Sequence, residues 1–191
     1  MEGRETVREL LDRMACPNPS GGGGAAAALV AMVAGVAARR APEDAGLGEI
    51  VQEAAALRAR VLGLIERDVE AFGQVVEARR RTDDARPQAV RDALIGATEV
   101  PLELAAASGR VLEQCVAVLP RARPSTRADL GVAAALALAS LEGAALTVRA
   151  NLDGLDAPAF VAESRRRLQG LLRDGAALRS RLPRAEEAAS G

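Results

Sequence analysis

Four consecutive glycines, Gly21 to Gly24, follow a proline-rich turn and directly precede an alanine-rich segment. If that segment is helical, its first N–H groups have no partner within the helix, and glycine lets a ligand approach them closely. The helix dipole adds a positive field there, which favours a carboxylate or a phosphate. A flexible hinge or a close helix crossing would use the same glycines, and the sequence leaves these interpretations open. No Lys-Ser/Thr pair follows, so the segment is not a Walker A loop.

A carboxylate falls on the apolar seam of a long predicted helix. The seam residues follow alternating steps of four and three: Ile50, Ala54, Leu57, Val61, Leu64, Asp68, Ala71 and Val75. A carboxyl group on such a seam must be hydrogen-bonded, be paired with Arg, or have a raised pKa, so Asp68 is a candidate catalytic residue. Two alternatives remain: a buried structural ion pair, or a local rotation that puts Ile65 and Phe72 on the seam.

Four other polar residues lie at helical positions where chemistry is possible. Asp129 falls in the first turn of a predicted helix, where a carboxylate also stabilises the helix dipole without any further role. Glu99 precedes a proline within another helix and could equally be a surface acid. Arg149 and Asn151 lie near the far end of the Asp129 helix, and Arg149 could pair with Asp153 one turn later.

These residues depend on helices for their positions, because apolar residues recur with helical spacing along most of the chain. Helices are predicted over 4–14, 25–40, 47–81, from the first turn at Pro87 to 119, 125–152 and 157–181. Pro101 should kink the fourth helix, Ser125 or Thr126 should cap the fifth, and Asp156 the sixth. No segment alternates with period two, so the predicted fold is all-α, an up-and-down antiparallel bundle of long alanine-rich helices.

The length of 191 residues fits one domain over 1–182, followed by a flexible tail over 183–191. Alanine is abundant on the facing seams, so the helices should pack closely. The predicted helix at 25–40 is apolar on nearly every side, and one small domain can hardly cover it completely. We therefore expect a homodimer.

Composition excludes several classes of function. The 25 basic side chains nearly balance 26 acidic ones, for a net charge of −1, so a nucleic-acid partner is not expected. There is no His, and two cysteines, Cys16 and Cys115, cannot form a zinc site, so no metal is expected. The N-terminus lacks a signal-peptide core, and the apolar run 25–38 is too short to span a membrane. We expect a cytoplasmic protein that has no membrane partner.

Four segments, taken in order, resemble the formiminotetrahydrofolate cyclodeaminase and methenyltetrahydrofolate cyclohydrolase family. They are PSGGGGAAA at 19–27, IERDVEAF at 65–72, ATEVPLEL at 97–104, and ADLGVA at 128–133 followed by VRANL at 148–152. They resemble the family's glycine-rich loop, its acidic helix, its helix kinked at Val-Pro, and its Ser-Asp-x-Gly-Val-Ala and Asn-Leu segments. No single segment is specific, but the ordered set is fairly so.

The sequence departs from the family pattern at several positions. Gly24 and Ala128 stand where the family often has Ser, and Ser125 where it often has Asn; Arg39-Arg40 lacks a neighbouring Tyr. These changes remove hydroxyl and amide groups but keep Asp129. They leave open an altered substrate, or a non-catalytic helical dimer of the same fold that binds a folate-like ligand or a protein partner.

The resemblance implies a usually dimeric all-α enzyme that acts on formimino- or methenyl-tetrahydrofolate. Both reactions need an acid or base beside a cationic carbon, and a carboxylate suits that demand. Asp129 is the first candidate for this role and Asp68 the second. The implied substrate-binding residues are Gly21, Gly22, Gly23, Gly24, Glu99, Arg149 and Asn151. Folate is the substrate, no tightly bound cofactor is implied, and deamination and hydrolysis both stay possible.

Overall fold

The computed structural model describes residues 45–183, and within this span the chain is helical with no strand. The all-α prediction is therefore confirmed. The helices are α1 (Ala45–Arg80), α2 (Arg86–Val118), α3 (Pro124–Leu152) and α4 (Pro158–Arg179), with a short 3-10 turn at Leu119–Arg121.

Several predictions concern other parts of the chain. The helices at 4–14 and 25–40, the Gly21–Gly24 loop, Cys16 and the tail from 184 onward lie outside the described residues. The assignment of 1–182 to a single domain therefore stays a prediction.

Proline fixes where three of the helices begin. Pro87, Pro124 and Pro158 each lie at the first or second helical position of α2, α3 and α4. Proline has the backbone angle of a helix, and the N–H that it lacks would have no partner within the helix at this position, so it favours the start of a helix. The predicted caps at Ser125, Thr126 and Asp156 are therefore wrong, since the N-cap positions are Arg123 and Ala157, and neither makes a side-chain cap bond.

The first two helices run antiparallel, as two ion pairs between them show. Arg110 on α2 contacts Glu53 near the start of α1, while Glu103 on α2 pairs with Arg67 further along α1. Numbering therefore rises along one helix as it falls along the other. The short connection over 81–85 requires this arrangement. α2 continues unbroken through Pro101, and the predicted kink stays a prediction.

The same antiparallel relation joins α2 to α3. The Ser108 hydroxyl contacts the Ser140 hydroxyl at 3.0 Å, and the Asn151 side chain contacts the Ala97 carbonyl at 2.9 Å. α4 then packs against both α2 and α3, so α2 is the central helix of the described bundle.

Small residues let these helices approach closely. Ala133, Ala134 and Ala137 on α3 are fully buried. At Gly175 on α4 even a Cβ atom would collide with the Leu141 side chain. The alanine-rich seams thus produce the tight packing that the sequence predicts.

The helix α3 is apolar on both its inner and its outer face. Leu130, Leu141 and Val148 are fully buried on the inner side. By length and composition alone, residues 127–152 could cross a membrane, yet 39% of the apolar window within them is buried inside the protein. Its inner face therefore belongs to the core of the bundle, and its outer face needs a separate explanation.

Candidate functional site

Asp68 lies on the inward seam of α1, as its spacing predicts. Leu64 and Ala71, one turn before and after it, are buried, and Asp68 itself is partly buried between them. Phe72 is 53% exposed, so the alternative rotation that would place it on the seam is wrong. A carboxylate therefore replaces an apolar side chain where α1 faces the bundle.

The environment of Asp68 shifts its proton equilibrium. Partial burial raises the pKa of the Asp68 carboxyl, because leaving water disfavours the charged form. Within residues 45–183 no hydrogen bond or ion pair to this carboxylate is present, so the structural ion pair considered from sequence is not formed there. A partly buried carboxyl group whose pKa moves toward neutrality suits proton transfer.

Beside Asp68, an ion-pair network joins α1 to α2. Arg67 donates to both oxygens of Glu103, at 3.0 and 2.8 Å, and Arg60 donates to Oε2 of Glu103 at 3.3 Å. The hydrogen bond from Arg67 is the main reason that the pKa of Glu103 is lowered. The charge of Glu99 also raises the pKa of Arg67, which places Glu99 near the same network. This network joins α1 to α2 beside Asp68.

Asn151 anchors the end of α3 to the proline in α2. Its Nδ2 donates a hydrogen bond of 2.9 Å to the carbonyl of Ala97. In a regular helix that carbonyl would accept from the N–H four residues later, but that residue is Pro101, which has no N–H. The side chain of Asn151 therefore replaces a missing backbone donor.

Asn151 and Arg67, the sequence neighbour of Asp68, contact α2 within two helical turns of each other. Asn151 contacts α2 at Ala97 and Arg67 contacts it at Glu103, positions about 9 Å apart along the helix. The two residues thus flank α2 from different helices, with Glu99 nearby on α2 itself. We call Asp68, Glu99, Glu103 and Asn151 the Asp68 cluster.

Arg149 and Asp129 are placed differently. Arg149 is exposed near the Asp68 cluster, and no ion pair to Asp153 is formed in the described part of the chain. Asp129 lies in the second turn of α3, since no acidic residue occupies the first turn. It is partly buried beside Leu130, and about 33 Å of continuous helix separates it from Asn151. The fold of the described chain therefore does not bring Asp129 to the Asp68 cluster.

Two buried polar or nucleophilic residues lie away from the Asp68 cluster. Burial raises the pKa of the Cys115 thiol to about 12, so this thiol stays protonated and is a poor nucleophile. Both polar side-chain atoms of Gln114 are buried, and neither has a hydrogen-bond partner among the described residues. Within residues 45–183 no group of three or more Asp, Glu, His or Cys residues has an arrangement that could hold a metal ion.

Sequence reasoning missed the ion-pair partners Arg67 and Glu103. The available signal was weak: Glu103 follows Glu99 by one helical turn, which puts two acids on one side of α2. Nothing in the sequence connects that pair to Arg67, because the contact depends on the register between two helices.

Comparison with known proteins identifies the family to which the chain belongs. The family model for formiminotransferase-cyclodeaminase matches residues 6–170. The chain belongs to the formiminotransferase-cyclodeaminase family. Within this family, it is 36% identical over 199 aligned positions to a methenyltetrahydrofolate cyclohydrolase of Methylorubrum extorquens, covering 95% of this chain and 96% of the relative. It also superposes on the formiminotetrahydrofolate cyclodeaminase of Thermotoga maritima with a TM-score of 0.82 and 21% identity, covering 93% of each chain.

Family membership confirms the resemblance seen in the ordered segments. Of these, the segments at 65–72, 97–104 and 148–152 supply the Asp68 cluster, and the segment at 128–133 lies at the opposite end of α3. The segments that jointly identify the family thus lie in two separate regions of the described part of the chain.

Proposed function

We propose that this protein is a one-carbon-folate enzyme that hydrolyses methenyltetrahydrofolate. The observation that carries the proposal is its 36% identity, over nearly the full length of both chains, to a methenyltetrahydrofolate cyclohydrolase. The likeness to the Thermotoga cyclodeaminase, at 21% identity, supports the fold and does not decide between the two reactions. The hydrolase is therefore preferred over the deaminase.

The reaction makes a defined demand on the protein. The methenyl carbon lies between two nitrogens that share a positive charge. The oxygen of water forms a bond to this carbon, and one proton of the water passes to a base. The bond from carbon to one nitrogen then breaks, and that nitrogen receives the proton held by the base. The remaining hydroxyl proton leaves to solvent, so that a formyl group remains on the other nitrogen. The site must supply a base for water and negative charge near the cationic carbon.

The Asp68 cluster supplies both the base and the negative charge that the reaction requires. Asp68 is partly buried and has a raised pKa, so it can accept the proton of water and return it to the departing nitrogen. The carboxylate of Glu99 adds negative potential nearby on α2, which favours a cationic substrate, whereas Glu103 is paired with Arg60 and Arg67. Asn151 and the exposed Arg149 are proposed to orient the folate. Gly21–Gly24 keep their proposed role in binding it.

Three further features belong to the proposal. The protein acts as a homodimer in the cytoplasm, and it uses folate as a substrate without a tightly bound cofactor. The apolar outer face of α3 supports the dimer, since contiguous exposed apolar surface on a folded protein marks an interface.

The test is to incubate the purified protein with methenyltetrahydrofolate and to follow the loss of its near-ultraviolet absorbance. We expect faster loss than in buffer, and a decrease of roughly 10²-fold or more in the Asp68→Asn variant. Asp174→Asn, an exposed carboxylate on α4, is the matched control and should keep the wild-type rate.

Two other outcomes would contradict the proposal. Tight binding of folate without turnover would identify the non-catalytic alternative. Release of ammonia from the formimino derivative, without hydrolysis of the methenyl compound, would identify a cyclodeaminase.

A further inference from the structure

Phe72 is an exposed aromatic residue on α1, one helical turn after Asp68. Aromatic residues are scarce in this chain, which has two Phe and no Trp or Tyr. Phe160 packs against the core of the bundle, whereas Phe72 is 53% exposed. Exposed apolar surface that continues over neighbouring side chains indicates a binding site.

Phe72 belongs to an apolar strip that runs along α1. Leu62 and Val69 are also exposed, and Ile65 between them is partly buried. We call Leu62, Ile65, Val69 and Phe72 the Phe72 strip, because their spacing of three and four residues places them on one side of the helix. A Cβ atom added at Gly73 meets no atom of residues 45–183 within 4 Å, which leaves room for a ligand beside the Phe72 ring.

Asp68 borders the Phe72 strip. Residues four apart on a helix lie side by side, with Cβ atoms about 5–6 Å apart, so Asp68 and Phe72 are neighbours. Long side chains in a helix lean toward its N-terminus, which directs the Phe72 ring toward the turn that carries Asp68. Arg60 and Arg67 reach Glu103 on the opposite side of α1, away from the strip. A partly buried carboxyl group thus lies beside an exposed aromatic ring.

We propose that the Phe72 ring is the surface on which the cationic ring of methenyltetrahydrofolate stacks, with the methenyl carbon toward Asp68. The methenyl carbon and its two nitrogens share the positive charge and the double bond, so this part of the substrate is flat. The face of a phenyl ring carries negative potential and attracts a flat cation that lies over it. The inference rests on the function proposed above and adds a substrate-binding residue to it.

The combination of a ring and a carboxyl group favours this occupant over an apolar one. An apolar helix placed on the Phe72 strip would remove more water from Asp68, whose charged form is already disfavoured by partial burial. A flat cation is instead stabilised by the ring face and by the ionised carboxylate together. The two groups therefore match the flat shape and the positive charge of the substrate.

The first experiment compares the kinetics of three variants of the full-length protein. Phe72→Leu keeps an apolar side chain but removes the ring, and we expect KM for methenyltetrahydrofolate to rise about 3- to 30-fold with little change in kcat. Phe72→Tyr keeps the ring, so KM should stay within about 2-fold of the wild-type value. Leu62→Ala, at the other end of the Phe72 strip, is the matched control and should leave KM unchanged.

The charge of the substrate gives a second readout from the same variants. The formyl product has lost the positive charge, so Phe72→Leu should weaken inhibition by the product much less than it raises KM. An unchanged KM in Phe72→Leu would overturn the proposal, and so would an equal rise in Leu62→Ala. Equal weakening of substrate and product would also overturn it, as would a smaller mass of Phe72→Leu in sedimentation equilibrium, because the ring would then serve an uncharged contact or a contact between chains.

The second experiment uses the low number of aromatic residues. Labelling with 4-fluorophenylalanine gives two fluorine signals, from Phe72 and Phe160, and Phe72→Leu identifies them. In an Asp68→Asn background that slows turnover, addition of methenyltetrahydrofolate should shift the Phe72 signal, because a stacked ring changes the local magnetic field. The Phe160 signal is the internal control and should stay in place. An unmoved Phe72 signal at saturating substrate, or an equal shift of both signals, would contradict the proposal.

The two experiments separate this inference from the proposed function. If the wild type hydrolyses no methenyltetrahydrofolate, the proposed function fails, and the fluorine shift still decides whether the Phe72 ring binds the folate. If hydrolysis is fast and the Phe72 signal does not move, the inference fails and the proposed function stands.

Discussion

The side-chain amide of Asn151 donates to the carbonyl of Ala97, the backbone acceptor that Pro101 leaves without its helical donor. Two features that look unrelated in the sequence, a proline within one helix and an amide near the end of another, are therefore parts of one contact. The contact holds the end of α3 against α2 at the level of Asp68. It also explains how α2 stays helical through a buried proline.

A double-mutant cycle tests this relationship. Asn151→Ala should lower the free energy of unfolding by about 1–3 kcal/mol, because the partly buried carbonyl of Ala97 loses its donor. In a Pro101→Ala background the same substitution should cost clearly less, since the alanine introduced there supplies the missing backbone N–H. Urea denaturation of the four proteins gives the coupling energy. Strictly additive effects would show that Asn151 does not serve the carbonyl freed by Pro101.

Asp68 should make the protein less stable as the pH rises. Its folded-state pKa is raised above the ordinary value of about 3.9, so the folded state holds this proton more tightly than the unfolded state does. The penalty for ionising the partly buried carboxyl is absent below that ordinary value. It grows as the pH rises toward the folded-state pKa and is fully present above it.

Asp68→Asn should therefore raise the melting temperature at pH 7 and leave it nearly unchanged at pH 3. A substitution that raises stability and lowers turnover is typical of a catalytic residue. Asp174→Asn, on the exposed surface of α4, should change neither quantity. Equal effects of Asp68→Asn at both pH values would mean that the amide acts through packing and not through the charge.

The pattern of apolar residues was sufficient to predict the four described helices and the position of Asp68 on the seam. Their ends agree closely with the structure because proline and the helical period are local signals. The caps were predicted wrongly, since the helices begin at Pro124 and Pro158 and their N-cap positions are therefore Arg123 and Ala157. The pairing of Arg67 with Glu103 and of Asn151 with Ala97 could not be predicted, because each depends on how two helices slide along one another.

The site residues show the same limit. Family resemblance grouped Asp129 with Asp68, Glu99 and Asn151, but a resemblance in sequence order carries no distances. The length of α3 alone separates Asp129 from Asn151 by about 33 Å. Only the folded helix reveals that separation.

The ion pair of Arg67 with Glu103 should contribute little to stability, although its geometry is good. The Arg67 side chain is 48% exposed, and water and salt weaken such a pair. We expect Glu103→Gln to lower the free energy of unfolding by less than about 1 kcal/mol, with a smaller effect in 1 M salt. Because pairing lowers the pKa of Glu103, the contribution should disappear as the pH falls below the folded-state value. A loss of several kcal/mol, insensitive to salt, would show that the network is part of the core.

Gly175 should be essential for the packing of α4, while another helical glycine should not. A Cβ atom at Gly175 would collide with the fully buried side chain of Leu141, which has little room to move. Gly175→Ala should therefore lower the free energy of unfolding by about 1–3 kcal/mol through overpacking. At Gly109 on α2 an added Cβ atom meets no atom of residues 45–183 within 4 Å, so Gly109→Ala should instead raise the free energy of unfolding, by about 0.5–1 kcal/mol. Urea denaturation of both variants measures the difference, and a gain at both positions would mean that α4 does not approach Leu141 as closely as the structure places it.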